Sequence, residues 1–364
     1  MRRPWSAYHR CMTTISARSR AIDRVVRVCG ATTGDARSLQ HALLDEIRRV
    51  VKFDAYAWLL TDPETEVGCA PLADVPCLPD LPRLIRLKYL TPINRWTRLD
   101  VPVALLNAAT GDHPERSLVW RELLVQHGVT DVASLVFRCR YGCWGFLDLW
   151  RSTAKSRFTE AEAGFLAAIA KPITEALRRC QANTFAMAAP APVRAGPVVL
   201  VLSPYLEVRA QTPETDEYLR FLVPPDVDRQ PIPAGAYNVA AQLLSVEAGI
   251  DNHPPSARVH LSAGVWLTLR AARIGTASPT AEQDIAVTIE PTAPAERMAL
   301  FARACALSAR ESELLGHLIM GSDTHRIAER MFLSENTVQD HLKSIFAKTS
   351  TSNRRTLVAR AVGH

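Results

Sequence analysis

The chain has 364 residues, 48% hydrophobic and 22% charged, with a formal net charge of +6. That length suits two or three domains with apolar cores of their own, and it permits nucleic-acid binding without demanding it. No apolar run reaches the roughly eighteen residues of a membrane span and no secretory pattern follows the basic start, so a cytoplasmic protein with no membrane partner is expected.

Met1 to Arg24 carries six arginines against Asp23 alone, and residues 1–19 are expected to form a basic tail. A domain over 20–181 follows. Ser38 to Val51 has helical spacing through Leu43, Leu44, Ile47, Val50 and Val51, and Asp54 to Leu60 reads as a buried strand. Pro71 to Pro82 is too rich in proline for long regular structure. Helices are expected through Leu84, Ile85, Leu87 and Leu90, and near Val119 to Gln126. Val132 to Arg138 and Cys143 to Trp150 are two extended runs joined by Arg140-Tyr141-Gly142, which makes a hairpin. Phe158-Thr159-Glu160-Ala161-Glu162 then opens a long helix through Phe165, Leu166, Ile169, Ile173 and Leu177.

Helix, strand, irregular middle, hairpin and closing helix give an α+β order. Together with the F-T-E-x-E helix entry, that order resembles a GAF domain, which implies a sensor fold with an antiparallel sheet and a ligand cleft. Trp58, Trp96, Trp144 and Trp150 could line such a cleft, although large aromatics in a mixed sheet are more often core. No cofactor is expected, while a small-molecule ligand of this region is admitted. The eight cysteines are scattered without a C-x-x-C pair and are expected to be buried thiols. Cys139 and Cys143 flank the hairpin turn and invite a redox reading, against the commoner one of ordinary strand cysteines. His113, His127 and Cys139 match no metal-ligand spacing.

Residues 182–197 are rich in alanine and proline and are expected to be a linker. Over 198–291 the pattern continues with a strand at Val198 to Leu202, a return strand at Glu207 to Ala210, a helix start at Thr212-Pro213-Glu214 and a helix between Ala234 and Ala248. Strands follow within Ala257 to Ala271 and Asp284 to Glu290. This order resembles a PAS-like sensor domain. A connector helix is expected within 292–306.

The last stretch, 307–364, is the most informative. Ser308 with Glu311 forms a capping box. Leu314, Leu315, Leu318 and Ile319 give the helix it opens an apolar face, and Gly321 offers a stop. Asp323 or Thr324 can cap a short second helix that buries Ile327, Ala328 and Met331, and Ser334 caps a third. At about 100° per residue, Val338, Leu342, Ile345 and Thr349 share one side of that third helix. Asn336, Asp340, Lys343 and Ala347 lie opposite, with Gln339, Thr337 and Lys348 on the shoulders. A helix with one buried side and a narrow polar side suits the major groove.

The residues Leu307, Arg310, Glu311, Leu314, Leu315, Gly321, Ile327, Ala328, Leu333, Ser334, Thr337, Val338, His341, Leu342, Ile345 and Lys348 resemble the LuxR-type helix-turn-helix of bacterial transcription regulators. The resemblance implies an all-α DNA-binding bundle that takes double-stranded DNA as a homodimer, with RNA polymerase as a further partner. Asn336 and Gln339 would pair with base edges, and Lys343 with guanine or a phosphate. Thr337, Lys348 and Arg354 would hold the backbone, with Thr324, Ser334 and Ser344 completing the surface. Asp340 is tolerable only where it accepts from a cytosine amine. The chain departs from the family pattern at Thr324-His325-Arg326, where Asn-Lys-Glu is usual, and at Thr349-Ser350-Thr351, where Leu-Gly-Val is usual. The second departure bears on the angle of a last helix, Asn353 to Ala361, which serves dimer contacts in relatives.

Two readings of other classes compete. A sigma-factor-like polymerase subunit would need a basic, aromatic promoter-melting region that residues 20–290 do not supply. An enzyme on the sensor fold with an autoregulatory DNA-binding tail would need a catalytic set. The chain has no G-x-S-x-G, Walker loop, H-E-x-x-H or dinucleotide fingerprint, so no enzyme is expected.

Overall fold

The computed structural model describes residues 5–31, 35–152, 157–186, 198–215, 234–260, 265–275 and 282–363. Helix α1 (Trp5–Ala31) runs through the stretch expected to be a basic tail. Ala21, Val25 and Cys29 recur at a spacing of four and are buried, which holds the helix down whatever charge its other sides carry. Helix α2 (Ala36–Arg48) starts at Asp35, whose side chain accepts from the Ser38 amide at 3.0 Å.

The first sheet contains β1 (Ala55–Thr61) and β2 (Gly68–Asp74), then β3 (Val103–Leu105), β4 (Asp131–Cys139) and β5 (Gly142–Arg151). Its order is β2-β1-β5-β4-β3, antiparallel throughout. Pro71, expected in irregular chain, lies within β2 opposite Leu59. An edge strand tolerates proline because its missing N–H would face away from the ladder. Between β2 and β4 come α3 (Leu81–Tyr89), α4 (Leu106–Thr110) and α5 (Leu118–Glu122). The helix expected over Val119 to Gln126 breaks at Leu123 (φ −135°, ψ −57°) and resumes as a 3-10 turn at Leu124–His127. Leu123 and Leu124 are both buried, and a straight helix would turn adjacent side chains about 100° apart.

Strand β5 is buried on nine of its ten residues, because both faces of the sheet are covered. One face carries Trp58, Phe137, Trp144, Leu147 and Leu149 against α1, α2 and α6 (Glu160–Thr184). The expected entry to α6 is present as a capping box between Thr159 and Glu162. The opposite face carries Phe146 and Val136, with Trp96 stacked on Phe146 at 4.1 Å. The four tryptophans therefore divide between the two faces and do not share one cleft. Cys139 and Cys143 divide in the same way. Arg138 pairs with Cys143 and Cys139 with Gly142, so the two thiols point to opposite sides of the sheet and cannot meet across the turn.

The second sheet repeats the strand order of the first. It comprises β6 (Val198–Leu202), β7 (Val208–Gln211), β8 (Ser256–His260), β9 (Trp266–Arg273) and β10 (Ile285–Pro291), arranged β7-β6-β10-β9-β8. The run Ala257 to Ala271 thus holds two paired strands. Helix α7 (Ala234–Glu247) packs on β9 and also on α3 and β2 of the first unit. The helix start at Thr212-Pro213-Glu214 leads into residues outside those described, as does most of the expected linker, although α6 itself reaches Thr184.

Two buried ion pairs join the sheets. Arg95 Nη2 lies 2.6 Å from Asp251 Oδ2, both nearly inaccessible, and Arg258 Nε lies 2.6 Å from Asp62 Oδ2. Arg258 also donates to Glu64 and to the Glu296 carbonyl of α8 (Pro294–Ala304), the expected connector helix. Beyond it stand α9 (Ala309–Ile319), α10 (Thr324–Met331), α11 (Glu335–Thr349) and α12 (Arg354–Val362). Leu314, Leu315, Leu318, Ile327, Met331, Val338, Leu342, Ile345, Leu357 and Ala361 form their shared core. The molecule is α+β in its two sheet units and all-α at its C-terminus. Among the described residues no helix is long and apolar enough to cross a membrane.

Candidate nucleic-acid interface

Each helix of the C-terminal bundle starts on a side chain that caps it. Ser308 and Glu311 cap α9 reciprocally, Asp323 accepts from the Arg326 amide, Ser334 from the Thr337 amide at 3.1 Å and Asn353 from the Thr356 amide. Of the two residues that could have capped α10, Asp323 does so, which leaves Thr324 in the first turn with its hydroxyl free to accept. With Val338, Leu342, Ile345 and Thr349 buried, the geometry turns Asn336, Gln339, Asp340, Lys343 and Ala347 to solvent, and all five are exposed.

The ten candidate contact residues fall into three groups. Asn336, Gln339, Asp340 and Lys343 form the outward face. Lys343 Nζ donates to Asp340 Oδ1 at 3.0 Å, with the two side chains 77% and 73% exposed. Such a pair contributes at most about 1 kcal/mol and yields readily to a phosphate or a base. Four residues form the flank where α10, α11 and α12 approach one another. Arg354 Nη2 donates to Thr324 Oγ1 at 2.6 Å and Gln339 Nε2 reaches the same oxygen at 3.4 Å, while Ser334 and Thr337 share a hydroxyl contact of 2.9 Å.

The remaining two bond to a buried carboxylate. Ser344 Oγ donates to Glu311 Oε1 at 2.7 Å, and Lys348 Nζ reaches Glu311 Oε1 and Oε2 at 2.8 and 2.6 Å. The Glu311 side chain is 4% exposed. Burial would raise its pKa, but bonds from Lys348, the Ser308 amide and Ser344 outweigh that and bring it down to about 2. Glu311 therefore stays ionised and fixes α11 against α9, and Ser344 and Lys348 serve that attachment in the free chain.

One participant was not singled out from the sequence. His325 is exposed on α10, with Nδ1 3.0 Å from Glu335 Oε1 and Nε2 3.3 Å from Glu329. The bond it donates to Glu335, then the charge of Glu329, raises its pKa, so it ties the start of α11 to α10 as a cation more often than a free histidine would. Arg326 and Arg330 on α10, and Arg355 on α12, are also exposed. The signal for this group was the unusual Thr324-His325-Arg326 turn.

Residues 305–361 match the family model described as bacterial regulatory proteins of the LuxR family. Over 55 residues the chain is 42% identical to the CsgBAC operon transcriptional regulatory protein of Escherichia coli strain K12, a match spanning 15% of this chain and 26% of that one. Over 54 residues it is 43% identical to the monoamine regulon transcriptional regulator of Klebsiella aerogenes, across 15% and 24% of the two chains. The match thus covers about a quarter of the length of these curated relatives. Among solved structures, Escherichia coli SdiA aligns over 96% of this chain and 98% of its own at 13% identity and a TM-score of 0.35. The bacteriophytochrome RpBphP3 from R. palustris aligns over 75% and 62% at 13% identity and a TM-score of 0.31. Both likenesses are too slight to argue from.

Proposed function

We propose, from the LuxR-family helix-turn-helix at its C-terminus, that this chain is a DNA-binding transcription regulator whose two sheet units act as its sensor. Helix α11 enters the major groove with Asn336, Gln339 and Lys343 toward base edges and Asp340 beside them. Thr324, Thr337 and Arg354, with the exposed Arg326 and Arg330, hold the phosphates, and Ser334 presents the helix start. The chain binds as a homodimer on half-sites about one helical turn apart, and it acts on transcription through RNA polymerase. Residues 20–181 serve as a GAF-like and 198–291 as a PAS-like unit, with 292–306 connecting them to the DNA-binding residues 307–364. The observation that carries this reading is the capped, outward polar face of α11 within the stretch that matches the family.

A mobility shift of the full chain on duplex fragments from upstream of its own gene, repeated across salt, tests it. A specific complex is expected, its affinity falling steeply with salt. Lys343→Ala should weaken it and lower the logarithmic salt slope by about 0.9 if Lys343 neutralises one phosphate. A chain that binds no duplex at any salt concentration sinks the reading, and an unchanged slope removes Lys343 from the phosphate contacts.

A further inference from the structure

A cleft of about 610 Å³ opens between the tip of the β4–β5 hairpin, helix α8 and the start of α9. Small-molecule sites commonly have a volume of this order and lie where two units meet. Met298, Ala299, Ala302 and Arg303 line it from one stripe of α8, at about 100° per residue, while Arg297, Leu300, Phe301 and Ala304 lie on the opposite, buried stripe. The bulkiest apolar side chains of α8 thus point away, and the two alanines leave room. Ala306 then takes a left-handed backbone (φ 55°), and the Leu307 amide donates to the Ala302 carbonyl at 2.9 Å. That sharp turn brings Leu307, Ser308 and Ser312 round as a second wall, and Arg140 and Tyr141 of the hairpin tip make the third. Arg303 Nη1 donates to the Tyr141 carbonyl at 3.2 Å, and Arg178 Nη1 to the Ala304 carbonyl at 2.6 Å, so α8 is fastened to the first unit beside the cleft.

The charge of the walls is one-sided. Arg140 and Arg303 both line the cleft, and no aspartate or glutamate does. Arg140 is exposed, and its side chain donates to the Tyr141 hydroxyl with the guanidinium 4.7 Å from that ring. Among the described residues it has no carboxylate partner. Arg303 has Glu64 Oε1 at 3.6 Å, but the other oxygen of Glu64 already meets Arg258 at 2.9 Å. One carboxylate shared with a third arginine leaves this pair of cations short of negative charge. Between them Met298, Ala302 and Leu307 supply an apolar floor.

We infer that this cleft binds a small organic anion: a carboxylate or phosphate head that engages Arg140 and Arg303, carried on a flat apolar body that covers Met298, Ala302 and Leu307. The site lies outside the two sheet units, and the inference does not depend on the chain being a transcription regulator. One arginine belongs to the first unit and the other to the connector, so an anion held by both fastens α8 more firmly to the hairpin tip. A neutral body of the same shape gains only the apolar floor, and inorganic phosphate gains only the arginines. Each alone should therefore bind more weakly.

Calorimetric titrations of the full chain at low salt test this with four probes: naphthoate, naphthyl phosphate, naphthalenemethanol and inorganic phosphate. At least one of the two naphthyl anions is expected to bind about tenfold more tightly than the alcohol and than inorganic phosphate, with the gap narrowing as salt is added. The tighter of the two anions assigns the head as carboxylate or phosphate. Arg140→Met, at an exposed turn, should remove most of the preference over the alcohol, and Ala299→Phe should fill the cleft and abolish binding of both anions. Circular dichroism checks that each variant folds; if Ala299→Phe does not, Arg140→Met and the wild-type preference decide. An alcohol or inorganic phosphate as tight as both anions, no binding of either anion, or an anion preference that survives in folded Arg140→Met would overturn the proposal. Displacement of the bound anion by duplex DNA of unrelated sequence would assign the two arginines to a nucleic-acid backbone and overturn it as well.

Discussion

Ser350 holds a left-handed backbone (φ 51°) at the end of α11, with its amide donating to the Phe346 carbonyl. The relatives' pattern has glycine there, and a side chain in that region is disfavoured by roughly 1 kcal/mol. The substitution has not relaxed the turn. It keeps the geometry and carries the strain, while the neighbouring hydroxyls of Thr349 and Thr351 bond each other at 2.8 Å and steady the path into α12. Ser350→Gly should therefore stabilise the chain by about 1 kcal/mol, read as a rise in the urea midpoint of unfolding. No rise would mean that the two threonines, rather than the backbone, set the energy of this turn.

Glu311 links α9 to α11, and its ionisation gives that link a pH window. Its folded pKa of about 2 lies below the ordinary 4.5, so the stability it contributes is fully present above 4.5 and is lost as the pH falls toward 2. Compared with Glu311→Gln, the wild-type chain should have the higher thermal midpoint at about pH 5, and the gap should narrow by about pH 3; a constant gap would show that Lys348 does not depend on the carboxylate. The same pair marks where sequence reading stopped. Caps were legible because a side chain and the amide it bonds are three residues apart, and the hairpin because its turn is local. The attachment of Ser344 and Lys348 to Glu311 was not legible, since nothing within α11 reveals a carboxylate more than thirty residues upstream. Helix α1 was hidden because its arginines outweighed the three small or aliphatic residues that bury it. The division of the tryptophans between faces followed only from the register, and the two matching strand orders depend on pairings between distant segments, which no local pattern encodes.

At the scale of the molecule, the two units meet through buried charge as well as apolar packing. Arg95 is enclosed by Asp251, Gln242 and the Tyr89 carbonyl. Burial would raise the Asp251 pKa, but bonds from His253 and Arg95 outweigh it and hold the carboxyl far below its usual range. Donating to Asp251 also raises His253 above its ordinary 6.5, so the histidine's share of stability is full below 6.5 and fades as the pH rises through its folded pKa. Arg95→Met leaves Asp251 buried with His253 as its remaining cationic partner. The expected loss is about 3–5 kcal/mol at about pH 8 and less at about pH 6, because more of His253 is charged at the lower pH. Denaturant unfolding at the two pH values measures this. An equal loss at both would mean that His253 does not answer for Asp251. A loss under about 1 kcal/mol would mean that water reaches the pair once Arg95 is gone, and that apolar packing of α7 on α3 holds the two units together without it.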